Sequence, residues 1–265
     1  MTSFPDVDVC RREVSADLLG ERDFEGGYNA GYRVGADELY DSVQGPDGSS
    51  GGLPGGKLVD DPDEYVLWVP LEDSTPVMDV EEDAMSYHVA RARNAEVFRD
   101  EGFNVPDAGI LGSDVGSFLV TPYVEHDFFE QRPKVPGGDP RRGNPHQPDP
   151  WYSEGRQRFE SMIDSALEGV DGEELVSSGR VVNAGSGEID DHNKNWGLVD
   201  SSLVRLDIGE VPAEGAVWED MPYDGPEEFY RGEGIRDVAR DVLEDLGMDP
   251  EAEISEEYRW LMRET

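Results

Sequence analysis

Cysteine is almost missing from this chain. Cys10 stands alone among 265 residues, which excludes an intramolecular disulfide and a zinc site built from several thiolates. Long apolar runs are missing too. None nears the roughly 18 residues of a membrane-spanning helix. The N-terminal stretch MTSFPDVDVCRREV lacks the apolar core of a secretory signal. These shortages predict a soluble chain in a reducing cytoplasm. Lysine is the third scarcity: of 22 basic residues only Lys57, Lys134 and Lys194 are lysines.

Acid is what the chain has in excess. There are 61 Asp and Glu residues and a formal net charge of −39. They are spread along the whole length and form no tail. Such a surface suits concentrated salt, where repulsion is screened to within about 3 Å at 1 M and carboxylates keep a protein dissolved. The expectation is a halophilic, high-salt-adapted protein. The same surface repels nucleic acid and anionic membranes, so neither is an expected partner. Disorder is the other common companion of high net charge. Five Trp, nine Phe and ten Tyr, together with apolar periodicity, oppose it.

The length suits one large domain or two lobes sharing a cleft. Residues 1–40 are acidic and aromatic, and their weak periodicity places nothing firmly. Residues 41–57, DSVQGPDGSSGGLPGGK, read as a glycine-rich loop. A hairpin is expected next: KLVD, a turn at Asp61-Pro62-Asp63, then the apolar EYVLWVP. A helix is expected over 79–101, with Met85, Val89, Ala92, Ala95 and Phe98 near one face and Gly102 as its stop. FNVPDAGILG and SFLVTPYVE read as strands on either side of a Gly/Ser/Asp turn.

Residues 131–151 hold six of the 18 prolines together with Arg132, Lys134, Arg141 and Arg142. They read as an extended loop, or more sharply as a docking surface for a protein assembly. An amphipathic helix is expected over 155–170. SLVRLDIGE reads as a short strand ending at Asp207. Two helices close the chain. One has Ile235, Val238, Val242 and Leu246 on a face; the other starts near Ser255 and carries Tyr258, Leu261 and Met262.

The chemistry-bearing stretch is EIDDHNKN, residues 188–195. Phosphoryl transfer needs a carboxylate to orient the acceptor hydroxyl, and an amide oxygen and a second carboxylate to hold magnesium between the phosphates. Asp190 and Asn195 lie five residues apart. Asp207, in the triplet Asp207-Ile208-Gly209, follows 12 residues later. That interval leaves room for one hairpin, so Asn195 and Asp207 could converge on one ion. A polar surface turn is the plainer alternative. GGLPGGKL has the spacing of a P-loop, but Leu58 stands where Ser or Thr should hold magnesium and no apolar strand precedes it, which excludes a P-loop NTPase. The loop is then a linker or a cover over phosphates. Four scattered histidines make no transition-metal site. His88, in the 79–101 helix, reads as packed or solvent-facing.

DDHNKN followed by RLDIG resembles the catalytic and magnesium-binding motifs of the protein-kinase-like superfamily. The Asp-x-His-x-x-Asn order looks like the HipA-type kinases and the phosphoinositide 3-kinases; the double Asp with Lys194 beside Asn195 is closest to the HipA type. The resemblance implies a two-lobed α+β fold with a small β-rich N-lobe holding one helix and a mainly helical C-lobe. The N-lobe would span 1–121 with an extension over 1–40. The hinge and proline-rich loop would span 122–154, and the C-lobe with the catalytic loop 155–265. ATP and Mg2+ are the implied cofactors, and a protein or small-molecule phosphoacceptor the implied partner.

By the same resemblance Asp190 is the catalytic carboxylate, with His192 shaping the loop and orienting it. Asn195 and Asp207 are the magnesium ligands. The backbone around Tyr123 and Val124 would meet adenine. Glu81 or Glu82 would pair with a phosphate-binding lysine. One departure stands out: EYVLWVP carries no lysine and has Trp68 near that position, so the nearest candidate is Lys57. The expected activity is a Mg/ATP-dependent phosphotransferase. The alternative is a catalytically inactive kinase-fold protein, a pseudokinase, serving as a binding or structural component of a larger assembly, a viral one among the candidates.

Overall fold

The computed structural model describes residues 9–11, 14, 19, 22–25, 29–41, 53–54, 58, 62–72, 79–100, 104–126, 196–199, 202–206 and 233–263. In chain order the elements are β1 (Val9–Arg11), β2 (Phe24–Glu25), β3 (Asn29–Gly35), α1 (Ala36–Asp41), β4 (Glu64–Pro70), α2 (Glu81–Asp100), β5 (Gly109–Gly112), β6 (Ser117–Pro122), β7 (Trp196–Val199), β8 (Ser202–Arg205), α3 (Glu233–Asp245) and α4 (Glu256–Met262). The chain is thus mixed α+β.

Six strands form one sheet in the order β1-β5-β6-β4-β3-β2, and β7 and β8 form a separate hairpin. Pairing in the larger sheet is antiparallel except for β1, which runs parallel to β5. The strand expected at 57–60 is not the partner of β4. Both edges of β4 are occupied, one by β3 along its whole length and the other by β6. The physical reason lies in period two. NAGYRVG places Ala30, Tyr32 and Val34 on one face, opposite Val69, Leu67 and Tyr65, and seven matched residues bury more than KLVD could.

Those six side chains join Leu111, Phe118 and Val120 in the main core, and α4 closes it with Tyr258, Leu261 and Met262. Burying a side chain of this size is worth about 1.5–3 kcal/mol. Tyr32 Oη donates to Leu261 O at 3.0 Å, so the α4 contact is also hydrogen-bonded. A second cluster joins Met85 and Val89 of α2 to Ile110 of β5 and to Ala239, Leu243 and Leu246 of α3.

α2 lies across the end of the sheet where β3 and β6 begin. Tyr87 reaches Asn29 there, and His88 reaches Ser117. The helix is therefore enclosed on most sides, and Ala84, Met85, Ser86, Tyr87, His88, Val89, Ala90 and Arg91 are all buried.

The ends of the C-terminal helices follow from local sequence. Gly247 has φ +67°, the left-handed conformation that stops α3. Its N–H donates to Glu244 O at 2.9 Å while Met248 N–H donates to Leu243 O at 2.8 Å, the paired closure of a Schellman motif. Ser255 caps α4: its Oγ accepts from Tyr258 N–H at 3.1 Å and donates to Val115 O at 2.6 Å. Residues 233–262 thus pack on α2 and the sheet, inside the same core as the N-terminal strands. The boundary expected at 154/155 lies outside the described residues. The helix expected over 155–170 and the proline-rich loop 131–151 lie outside the described residues. No helix among the described residues is long and apolar enough to cross a membrane.

Candidate functional site

The β7–β8 hairpin pairs Trp196 with Arg205 at its open end. The chain enters that end from Asn195 and leaves it through Leu206 toward Asp207. Contacts among the described residues tie the hairpin to the rest. Arg205, fully buried, donates its backbone N–H to Asn104 O at 2.8 Å, on the segment that follows α2. Gly197 lies against His126: a Cβ there would fall 2.7 Å from His126 Cδ2, so no larger residue fits. The segment after β6 and the strand after Asn195 therefore touch. Asp190, His192, Asn195, Asp207 and Lys57 themselves lie outside the described residues. Among the described residues, no three His, Cys, Asp or Glu side chains gather as a metal site.

The two backbone positions expected to meet adenine are engaged within the chain. Tyr123 N–H donates to Glu64 O at 2.9 Å. Val124 O accepts from His126 Nδ1 at 2.7 Å. The Tyr123 ring stacks on Phe24 with centroids 5.9 Å apart, and the Arg33 guanidinium sits 4.0 Å above it. Burial is small for Arg33, whose charge is steadied chiefly by its hydrogen bond to Glu64.

Trp68 stands where a phosphate-binding lysine was expected. Its indole N–H donates to Thr121 Oγ1 at 2.9 Å. The ring also lies over Gly31, where a Cβ would fall 2.8 Å from Cζ3, and its centroid is 5.9 Å from that of Phe24. An aromatic surface thus fills that part of the sheet.

The acids at the start of α2 have separate fates. Glu82 faces α3. Its Oε1 lies 3.3 Å from Arg236 Nε and its Oε2 3.0 Å from Arg240 Nη2, while Asp83 pairs with Arg236 Nη2. Glu82 is committed to a helix–helix contact, and the lysine expected to pair with it lies outside the described residues. Glu81 is buried, among the described residues no cation pairs with its carboxylate, and burial pushes its pKa up to about 7. One oxygen, Oε2, has no hydrogen-bond partner among the described residues.

His88, two turns further along the helix, is fully buried. Its Nε2 is 3.0 Å from Ser117 O and 3.1 Å from Tyr258 Oη, and Tyr258 Oη donates to Ser117 O at 2.6 Å. A tyrosine that gives its one proton to Ser117 O can only accept from His88, so Nε2 carries the hydrogen. Burial holds the imidazole neutral, with its pKa down to about 3, and the nearby Arg91 charge adds to this. Burial also raises the Tyr258 phenol. Both groups act here as neutral packing partners.

The sequence reading missed a third group on α2. Tyr87 Oη donates to Asn29 Oδ1 at 2.6 Å, and Arg91 Nη1 donates to Tyr87 Oη at 3.3 Å. The Arg91 guanidinium lies 5.5 Å from the Tyr87 ring centroid. The available signal was the spacing: Tyr87, His88 and Arg91 fall on one face of a helix whose neighbouring positions are apolar. No protein-family model and no curated protein matches the chain.

Proposed function

We propose that this chain is a Mg/ATP-dependent phosphotransferase of two-lobed, protein-kinase-like architecture, with the HipA-like loop order and a protein or small-molecule hydroxyl as acceptor. The β7–β8 hairpin carries the reading. It fills the interval between Asn195 and Asp207 and returns the chain to the end it left, as two ligands of one ion require. The order β3, α1, β4, α2, β5, β6 before residue 123, with the longer helix between two antiparallel strand pairs, adds support. In this reading Asp190 orients the acceptor hydroxyl, His192 shapes the loop, and Asn195 and Asp207 hold Mg2+ between the ATP phosphates. Titration calorimetry of ATP with and without Mg2+ tests it. Wild type should bind only with metal, and Asp207→Ala should not bind. Phosphate transfer to a protein or small acceptor should vanish in Asp190→Asn. No heat from the wild type removes the reading.

A second reading, an inactive kinase-fold protein serving a larger assembly, is favoured by two observations. Trp68 fills the lysine position, and Glu82 is held by Arg236 and Arg240. Metal-dependent ATP binding without turnover would decide for it. Lys57→Ala separates the two further: an active protein that keeps its rate in this variant does not use Lys57.

A further inference from the structure

We infer that the row of rings formed by Phe24, Trp68 and Tyr123 is a docking site for the chain's own proline-rich segment, residues 131–151. The inference goes beyond the phosphotransferase reading and does not rest on it. Strand register builds the row. Gly31 pairs with Phe24 on one side and with Trp68 on the other. It has no side chain, so the two rings lean together over it with centroids 5.9 Å apart. The Phe24 ring stacks in turn on Tyr123, again at 5.9 Å. The Trp68 N–H is held by Thr121, which fixes the indole in place. All three rings are partly exposed, and none belongs to the two apolar clusters of the core. A contiguous set of such rings on one sheet face is an interaction surface.

Chemistry, charge and reach select the occupant. Surfaces lined by aromatic rings recognise proline-rich chain in the polyproline II form. Residues 131–151 contain two such repeats, PKVP at 133–136 and PHQP at 145–148. That helix sets prolines three residues apart on one side, about 9 Å from each other, and two ring-to-ring steps span up to about 12 Å. The segment carries Arg132, Lys134, Arg141 and Arg142 against Asp139 and Asp149, a local excess of base in a chain of net charge −39. The rings are bordered by Asp23, Glu64 and Glu125, while Arg33 is taken up by Glu64 and the Tyr123 ring. Opposite charge thus favours the encounter. Pro133 follows Tyr123 by ten residues, which an extended chain covers as far as about 33 Å. The stretch that contains the segment leaves at His126 and comes back by Gly197, and those two residues touch. Both of its ends are therefore held beside the end of β6, which keeps the segment at high local concentration near the rings.

The test titrates a synthetic peptide of residues 131–151 into two full-length chains by calorimetry. One is wild type. The other has Pro133, Pro136, Pro145 and Pro148 replaced by alanine, so that its own segment no longer competes. This variant should bind the peptide about ten-fold or more tightly than wild type does. Adding Phe24→Ala to it should abolish the binding, and a peptide with the same four prolines replaced by alanine should not bind. Equal affinity in the two chains overturns the inference, because the segment then leaves the rings open in its own chain. No binding to the proline variant overturns it too. So does binding of the alanine peptide, which marks charge attraction alone, and so does undiminished binding in a folded Phe24→Ala chain. Where circular dichroism shows that Phe24→Ala does not fold, Tyr123→Ala takes its place. Light scattering identifies the occupant: a wild-type dimer that becomes a monomer in the proline variant assigns the segment to a second copy and overturns docking within one chain. ATP and Mg2+ are absent throughout, so failure here leaves the phosphotransferase reading standing.

Discussion

The two sides of α2 are held by opposite chemistry. Toward α3 the contact is apolar at its centre, with Met85 and Val89 against Ala239, Leu243 and Leu246, and ionic at its rim, with Glu82 and Asp83 on Arg236 and Arg240. Toward α4 and β6 the contact is sealed and neutral. His88, Tyr258 and the Ser117 carbonyl share hydrogen bonds, and Glu81 lies close enough to act on Tyr258 and has no cation on it among the described residues. A single helix thus shows two ways to bury polar groups. Opposite charges neutralise each other where water remains near. Titratable groups stay uncharged where it does not. The first way answers to salt, the second to pH.

The largest effect should come from the sealed side. Tyr258→Ala removes a buried ring that packs on Phe118 with centroids 5.5 Å apart and leaves His88 and Ser117 short of a partner. A loss of about 3–5 kcal/mol is expected, read as a lower midpoint in urea. Tyr258→Phe keeps the ring and should lose about 1–2 kcal/mol. Equal losses in the two variants would mean that the hydroxyl, not the packing, holds α4.

The same side should show a hidden pH dependence. Folded Glu81 keeps its proton to about pH 7, whereas the unfolded group releases it near 4.5. Its contribution therefore falls as pH rises through that window. Folded His88 stays neutral down to about pH 3, whereas the unfolded group takes a proton below 6.5. Its contribution is lost as pH drops from 6.5. Between 4.5 and 6.5 the two slopes oppose each other at up to about 1.4 kcal/mol per pH unit each. Glu81→Gln should thus gain on the wild type as pH rises, reaching about 2–3 kcal/mol above pH 7. His88→Gln should gain on it as pH falls below 6.5. Differences from wild type that stay level across pH 4–8 would show that neither group titrates as its burial implies.

This division was partly legible in the sequence. Ser255 before Glu-Glu-Tyr, and Tyr258, Leu261 and Met262 at helical spacing, announced α4; Met85 and Val89 announced the α3 side. The hairpin after Asn195 was legible from its length alone. Residues 29–35 were overlooked although Ala30, Tyr32 and Val34 alternate, because glycine, arginine and asparagine between them weaken the apolar signal. KLVD was chosen as the partner of β4 because it is close in sequence, and pairing is decided by matched buried area instead. The direction taken by Glu81 and Glu82 could not be read. Adjacent positions on a helix differ by about 100°, and only the arrival of α3, some 150 residues later, decides which acid finds a cation. Arg91 was passed over for a related reason: a basic residue on a helix in an acidic chain reads as surface until the sheet end is placed against it.

The ionic side should give smaller effects, and they should separate by burial. Arg236 is 31% exposed, and the Glu82 and Asp83 side chains it meets are 7% and 12% exposed. Arg236→Ala leaves two shielded carboxylates side by side and should lose about 2 kcal/mol, below the value for a fully buried pair. Arg240 is 46% exposed and meets Glu82 from the rim, so Arg240→Ala should lose less. Salt then distinguishes them. Raising the concentration to 1 M shortens the screening length to about 3 Å for groups in water. Arg240→Ala should come level with the wild type, while Arg236→Ala should keep most of its deficit, because its partners lie where ions do not penetrate. Urea midpoints of both variants at low and high salt measure this. Equal salt dependence would mean that the α2–α3 rim is an exposed ion network throughout, and that the apolar centre alone holds the two helices together.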